Sequence, residues 1–357
     1  MVLKMLDTRD RRFIRLAETT EMTELKNQES RQPVRRRTLL LALLLASLIG
    51  LLYARPSWRH DAGATAARAT HAVLLIAGMS PRDVYVWRLR LAGLYDTPIG
   101  LAWREAVAAA RPTALDNRQQ VRLIFRPETV RARVFETPLA RGMALRWRLS
   151  RTDPDSGHLF ASLQYSDDRR ASADWHTVAT LHADGRPHQY TARDNGHYRL
   201  VFQPELGVPI QARLAIVRGG SLPFPVVGGH EYDIGGGFGA PRDGGKRRHK
   251  GVDIFADRDT AVRAVVDGRV STGNGGLGGH YIFLSSGFIG PRFYYAHLDH
   301  FAVKSGTRVD AGQIIGYVGN SGNAAGGPTH LHFGVYVAGG AIDPAPFIRP
   351  MPNLPGD

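Results

Sequence analysis

Five residues in the last third of the chain carry side chains that bind metal or move protons: His249, Asp253, His297, His330 and His332. They lie in three short segments, His249-Lys-Gly-Val-Asp253, Tyr295-Ala-His297-Leu298 and Thr329-His330-Leu-His332-Phe333. Zinc accepts neutral imidazole nitrogen and carboxylate oxygen, and a catalytic zinc site keeps one position open for water. His249 and Asp253 are four apart, a spacing that also fits one face of a helix. Gly251 and the β-branched Val252 and Ile254 argue instead for an extended segment. In a strand, residues i, i+2 and i+4 share a face. His249 and Asp253 then point one way, past a glycine that leaves room, while Val252 and Ile254 point into a core. His330 and His332 repeat the logic, with Leu331 and Phe333 on the opposite face. Two such strands side by side bring four polar side chains to one point. The helical zinc-protease pattern His-Glu-x-x-His is absent, because His230-Glu231 is followed by Tyr-Asp-Ile.

Each feature is weak by itself. A lone His-x-His is mostly accidental, and His297 alone suits an ordinary hydrogen-bonded histidine. His249 alone is one more member of a basic loop with Lys246, Arg247, Arg248 and Lys250. Together, in this order and in a glycine-rich β context, they point to a metal site.

The surrounding residues add a resemblance. Gly236-Gly-Phe-Gly-Ala-Pro-Arg-Asp-Gly-Gly-Lys-Arg-Arg-His249-Lys-Gly-Val-Asp253-Ile resembles the opening of the lysostaphin/LytM-type zinc metallopeptidases. Tyr294-Tyr-Ala-His297-Leu, Gly316-Tyr-Val-Gly-Asn-Ser-Gly-Asn323 and His330-Leu-His332-Phe-Gly match the same family. The resemblance extends over about residues 220 to 350 and says little about the chain before it. It implies a compact β fold, the duplicated hybrid motif, and hydrolysis of peptidoglycan peptides. It implies one Zn2+ per chain, with His249, Asp253 and His332 as ligands and His297 and His330 as unligated catalytic histidines. Which of those two takes the proton from water and which bonds the developing oxyanion is left open. No position of the pattern is lost, which matters because some relatives lack ligands and activate other hydrolases instead.

Composition bounds the rest. A chain of 357 residues holds two or three domains. There is no cysteine, so disulfides and thiolate metal sites are excluded. The formal charge of +14 suits an anionic partner: nucleic acid, a membrane surface or an acidic wall polymer. No nucleic-acid-binding motif accompanies it, so no nucleic-acid partner is expected.

The expected fold class is mainly β: a C-terminal duplicated-hybrid-motif domain, preceded by a β-sandwich and an N-terminal transmembrane helix. Residues 1–37 are polar and end in Arg35-Arg36-Arg37, reading as a cytoplasmic tail. Residues 38–54 are a leucine-rich apolar run at the short end for a membrane span, and the arginines before it place the amino end inside. An uncleaved anchor is favoured over a signal peptide, because the charged leader is long and the small-residue site Ala62-Gly-Ala64 lies far past the apolar run. Residues 55–130 form a linker and an α/β segment without a settled order. In it, His71 to Ala77, Val84 to Leu91 and Val121 to Phe125 suggest strands, and Gly100 to Ala110 suggests a helix. Residues 131–218 read as a small β-sandwich, with strands at 131–136, 143–149, 159–165, 175–181, 197–203 and 211–217 separated by turn residues such as Asp184-Gly185. Trp147, Trp175 and Tyr198 read there as packing residues. Gly219 to Pro225 reads as a hinge, and residues 219–350 as the zinc metallopeptidase domain.

The expectation is a single-pass protein of the bacterial inner membrane, its catalytic domain in the periplasm. It hydrolyses cross-links between peptidoglycan stem peptides and touches the membrane through residues 38–54. The rival expectation is a non-enzymatic wall-binding or hydrolase-activating scaffold. A third, a diffusible toxin acting on a protein, fits the anchor poorly.

Overall fold

The computed structural model describes residues 80–356, except 154–156, 168–173 and 288–289. The tail, the apolar run 38–54 and the strand expected at His71 to Ala77 lie outside the described residues. Among the described residues, no helix is long and apolar enough to cross a membrane.

The expected strand at Val84 to Leu91 is a helix, α1 (Pro81–Leu91). The residues before it decide this. The Ser80 hydroxyl and backbone N–H bond to Asp83 Oδ2, and the Asp83 N–H returns to Ser80 Oγ at 3.2 Å. That reciprocal cap, with proline at the first helical position, nucleates a helix that the β-branched and aromatic residues beyond it do not announce. The helix expected at Gly100 to Ala110 is present as α2 (Pro98–Ala109), capped by Thr97.

Two sheets follow. One has the order β1 (Thr113–Ala114), β3 (Arg133–Leu139), β8 (Gly196–Pro204), β5 (Leu159–Ser166), β6 (His176–Thr180). The other runs β2 (Arg118–Phe125), β9 (Ile210–Gly220), β4 (Met143–Arg151), β7 (Asp184–Thr191). Residues from both sheets, including Phe135, Phe202, Leu145, Leu149 and Leu214, share one apolar core, so the pair is a two-layer sandwich. The six strands expected between residues 131 and 217 are all present. Strand β7 is the addition: Asp184-Gly185, read as a turn, begins a strand whose His, Gln and Arg residues give little apolar signal. Helix α2 seats on the sandwich through Trp103, which donates Nε1–H to Pro204 O at 2.7 Å and accepts from Gln203 Nε2 at 2.5 Å through its own carbonyl.

The C-terminal region is a larger antiparallel assembly. Its sheet runs β10 (Ile234–Gly236), β13 (Val252–Phe255), β20 (His330–Val337), β17 (Arg292–Phe301), β16 (Gly279–Ser285), β15 (Gly268–Gly275), β18 (Arg308–Val309), with β19 (Ile314–Val318) branching from β17. β14 (Ala261–Arg263) pairs with β19, and β21 (Gly340–Ile342) with β20. A short hairpin, β11 (Pro241–Arg242) and β12 (Arg247–Arg248), stands apart from that sheet. Val252, Ile254, Leu331, Phe333, Phe293 and Tyr295 build the core beneath it.

The expected hinge is a clamped junction. Gly219 and Gly220 are the last residues of β9, and both are buried. The Gly220 N–H bonds Arg349 O at 2.7 Å and the Leu222 N–H bonds Phe347 O at 2.8 Å. A Cβ at Gly220 would stand 2.2 Å from Phe347 O, so glycine serves close approach here rather than freedom. Farther along, Leu354 packs on Ala215 and Val217. The chain after β21 thus returns to the sandwich through a short helix, α3 (Ala345–Ile348), and ties the two regions together.

Candidate metal centre

The sheet register brings the site together. Asp253 on β13 lies directly opposite His332 on β20, and Phe255 opposite His330. The alternation read from sequence holds: Val252, Ile254, Leu331 and Phe333 are at most 1% exposed on the core face, while Asp253, His330 and His332 share the other. His249 precedes β13 and reaches the same point across Gly251. A Cβ on Gly251 would lie 2.4 Å from Phe333 O and 2.8 Å from His332 Nε2, so only glycine lets the two segments close up here.

Three atoms converge. His249 Nε2 is 2.8 Å from His332 Nδ1, and each is 3.0 Å from Asp253 Oδ1. His249 Nδ1 lies 2.8 Å from Gly237 O, which assigns its proton to Nδ1 and leaves a lone pair on Nε2. Ligands at ~2.0–2.1 Å around a tetrahedral zinc stand about 3.3 Å apart. A slightly tighter triangle of two imidazole nitrogens and one carboxylate oxygen therefore fits one face of such a centre. Burial raises the Asp253 pKa, but the two imidazole nitrogens set against its Oδ1 outweigh it, so the carboxyl is held well below its usual range. Burial lowers that of His332, against the pull of Asp253. An anionic carboxylate beside neutral imidazole is the protonation state a metal requires.

His330 and His297 complete the cluster without joining the triangle. His330 Nδ1 is 2.9 Å from Pro328 O, and its Nε2 stands 3.9 Å from Asp253 Oδ1. His297 Nδ1 is 2.8 Å from Ser321 O. Their ring centroids are 4.9 Å apart, and His297 is 5.9 Å from the His332 ring. Both Nδ1 protons are thereby tied to backbone carbonyls, which frees both Nε2 atoms. His297 owes its aim to a bulge: Ala296 and His297 together oppose Tyr281 alone, between the pairs His280–Leu298 and Ile282–Tyr295. Its φ of 62° is uncommon for a non-glycine residue, and such outliers gather at functional sites. Burial pushes its pKa down to about 4, only partly offset by the bond to Ser321 O, so the ring is neutral near pH 7.

These five residues border an open cleft of about 760 Å³. The β11–β12 hairpin and the residues after it contribute Arg242, Arg247, Arg248 and Lys250 to its lining, and strands β16, β17 and β20 contribute Tyr281, Phe283, Tyr294 and Tyr336. Arg242 was not singled out by the sequence, yet its guanidinium bonds Asp253 Oδ2 and lies 3.2 Å from His249 Nδ1. The only signal was its place within the Gly236–Asp253 segment, where nothing separates it from neighbouring arginines. Gly276 to Gly278 form the turn of the β15–β16 hairpin. His280 and His300 bond to Asp299 rather than to the cluster.

A buried His/His/Asp face with two further backbone-anchored histidines, on an antiparallel sheet, defines a metallopeptidase-type centre. Residues 247–344 match the model of Peptidase family M23; this part of the chain is a Peptidase family M23 domain. The chain is 36% identical over 143 residues to the L-Ala–D-Glu endopeptidase of Bacillus subtilis (strain 168), covering 36% of this chain and 44% of that protein. It is 38% identical over 129 residues to the glycyl-glycine endopeptidase ALE-1 of Staphylococcus capitis, covering 34% of each. The chain thus spans less than half the length of either relative. Among solved structures, the catalytic domain of lysostaphin from Staphylococcus simulans is similar at 34% identity, over 33% of this chain and 93% of that one, with a TM-score of 0.29.

Proposed function

We propose that this chain is a zinc-dependent endopeptidase that hydrolyses the peptide cross-links of bacterial peptidoglycan. The observation that carries the reading is the triangle of His249 Nε2, His332 Nδ1 and Asp253 Oδ1 at the floor of an open cleft, beside two histidines that stay outside it. Those three residues would hold the metal. Bound there, zinc would lower the pKa of a water toward neutrality and polarise the scissile carbonyl.

The remaining roles belong to the protein. His330 and His297 each keep Nε2 unspent, with Nδ1–H given to a carbonyl. One takes the proton of the attacking water on Nε2 and hands that same proton to the leaving amine, and the other bonds the oxygen of the tetrahedral intermediate when it carries a proton on Nε2. Burial keeps His297 neutral, and therefore able to accept a proton at neutral pH. Arg242 holds Asp253 Oδ2, which leaves Oδ1 directed at the two imidazole nitrogens. The open cleft admits an extended peptide.

The wider reading rests on sequence. The M23 domain adopts the duplicated hybrid motif. Residues 38–54 anchor the chain once in the inner membrane, and the domain works in the periplasm on stem peptides, with no nucleic-acid partner. A wall-binding or hydrolase-activating scaffold is the second reading. The full donor set favours the enzyme, because a scaffold has no use for it.

The test is to incubate the full chain with purified cross-linked peptidoglycan, with and without a chelator, and to resolve the products by mass spectrometry. Chelator-sensitive loss of cross-linked dimers is expected. Intact dimers with stoichiometric zinc bound would replace the enzyme by the scaffold.

A further inference from the structure

We propose that Arg248 and Lys250 form a carboxylate-binding subsite on the basic lip of the cleft, so that the peptides preferred there carry an acidic residue beside the scissile bond. This rests on the peptidase reading for the word scissile, but the binding it predicts does not need cleavage.

The charges lining the cleft are unequally satisfied. Four cations and two carboxylates line it: Arg242, Arg247, Arg248, Lys250, Asp243 and Asp253. Arg242 is held by Asp253, and Arg247 by Asp243. That exhausts both carboxylates. Arg248 is exposed, and its one hydrogen bond is a long one, 3.4 Å from Nη1 to Gly239 O. Lys250 is exposed and makes no hydrogen bond or ion pair with any described residue. The two free cations therefore flank His249 immediately in sequence, at the edge of the site where the triangle forms. The lining residues from β16, β17 and β20 other than the site histidines, Tyr281, Phe283, Tyr294, Ala296 and Tyr336, carry no charge. Their rings pack on one another, Phe283 on Tyr294 at 4.6 Å and Tyr281 on Tyr294 at 5.6 Å.

A cleft with one basic lip and low-dielectric walls focuses positive potential inward and draws anionic ligands. A glycine-only bridge, whose ends are both in peptide linkage, offers no carboxylate to those cations and excludes water from them as it binds. A peptide with a free side-chain or main-chain carboxylate beside the bond pairs with them. The lip thus discriminates between acidic stem peptides and neutral bridges, a choice that the donor triangle alone does not make.

The experiment uses the zinc-loaded full chain and three synthetic probes: a peptide with an alanyl–glutamyl bond and a free glutamate carboxyl, its carboxamide counterpart, and pentaglycine capped at both ends. Affinities are measured by calorimetry at low and high salt, and cleavage is followed separately. The free acid should bind about five- to tenfold more tightly than the amide, with the gap shrinking as salt rises. In the double variant Arg248→Gln/Lys250→Gln the gap should close by weaker binding of the acid, with zinc content unchanged. Exchanging the pair as Arg248→Lys/Lys250→Arg should retain it. Equal affinity for acid and amide in the unaltered chain, or a preference that survives the double glutamine variant, overturns the proposal. If the acid is preferred but none of the probes or purified peptidoglycan is cut, the subsite stands and the hydrolase reading falls.

Discussion

The sandwich and the M23 domain bury polar groups of different kinds. In the sandwich they are neutral: Thr137, Ser166 and Gln203. Gln203 serves packing, since its amide binds the Trp103 carbonyl and fixes helix α2; Thr137 receives a hydrogen bond from Arg218. In the M23 domain the buried polar residues are His249, Asp253 and His297, all titratable and all at one point. Burying ionisable groups costs stability unless they are paired or hold an ion. Both regions have an apolar core of comparable make-up, so the fold alone does not demand that cost. A region that departs from the pattern of its own core at one point does so for chemistry, and its neighbour, which does not depart, is support.

The sharpest way to break this comparison is Asp253→Ala. It removes one corner of the triangle and the partner of Arg242, and it should abolish both stoichiometric zinc and wall hydrolysis, read by metal analysis and by product release. A variant that still hydrolyses wall would move the chemistry elsewhere. Next is His297→Ala. His297 lies outside the triangle, so zinc should remain while turnover falls ~10²–10⁴-fold, the usual worth of a positioned acid or base. Loss of zinc in that variant would make His297 a ligand and redraw the site.

The same comparison explains what the sequence made legible. The strand period of two sorts Asp253, His330 and His332 onto one face, while His297 was reached through the family resemblance, since a bulge and not the alternation aims it. Val252, Ile254, Leu331 and Phe333 are where that alternation requires. The six sandwich strands were legible through apolar alternation between turn residues. β7 was not, because its Asp-Gly start looks like a turn and its side chains are polar. Helix α1 was missed because its aromatic and β-branched residues mimic a strand, while the deciding signal was the Ser80–Asp83 cap. Arg242 was illegible for another reason. Its role depends on a hairpin bringing it back to Asp253, and local spacing does not encode that return. The junction failed likewise: glycines at 219 and 220 suggest freedom until the chain's own end is seen packed against them.

Two smaller effects probe the supporting region. Gly220→Ala should lower stability by about 1–3 kcal/mol, because the new methyl meets Phe347 O and the chain end must shift. Zinc should stay bound, since that contact is remote from the triangle. Thermal melting and metal content together check both statements.

Trp103→Phe should cost stability in the same range and act farthest from the chemistry. It keeps most of the ring packed against Phe160, whose centroid is 5.9 Å away, but removes the Nε1–H donor and leaves the Pro204 carbonyl without that bond. A buried acceptor that loses its partner costs about 1–3 kcal/mol, which in a unit of this size lowers the melting temperature by ~2–4 °C per kcal/mol. The affinity for zinc and the turnover per folded molecule should match the unaltered chain, because α2 touches the sandwich and not the triangle. Were turnover to fall without loss of folded protein, the sandwich would be shaping the cleft through the clamped junction, and the division between a supporting region and a chemical one would have to be withdrawn.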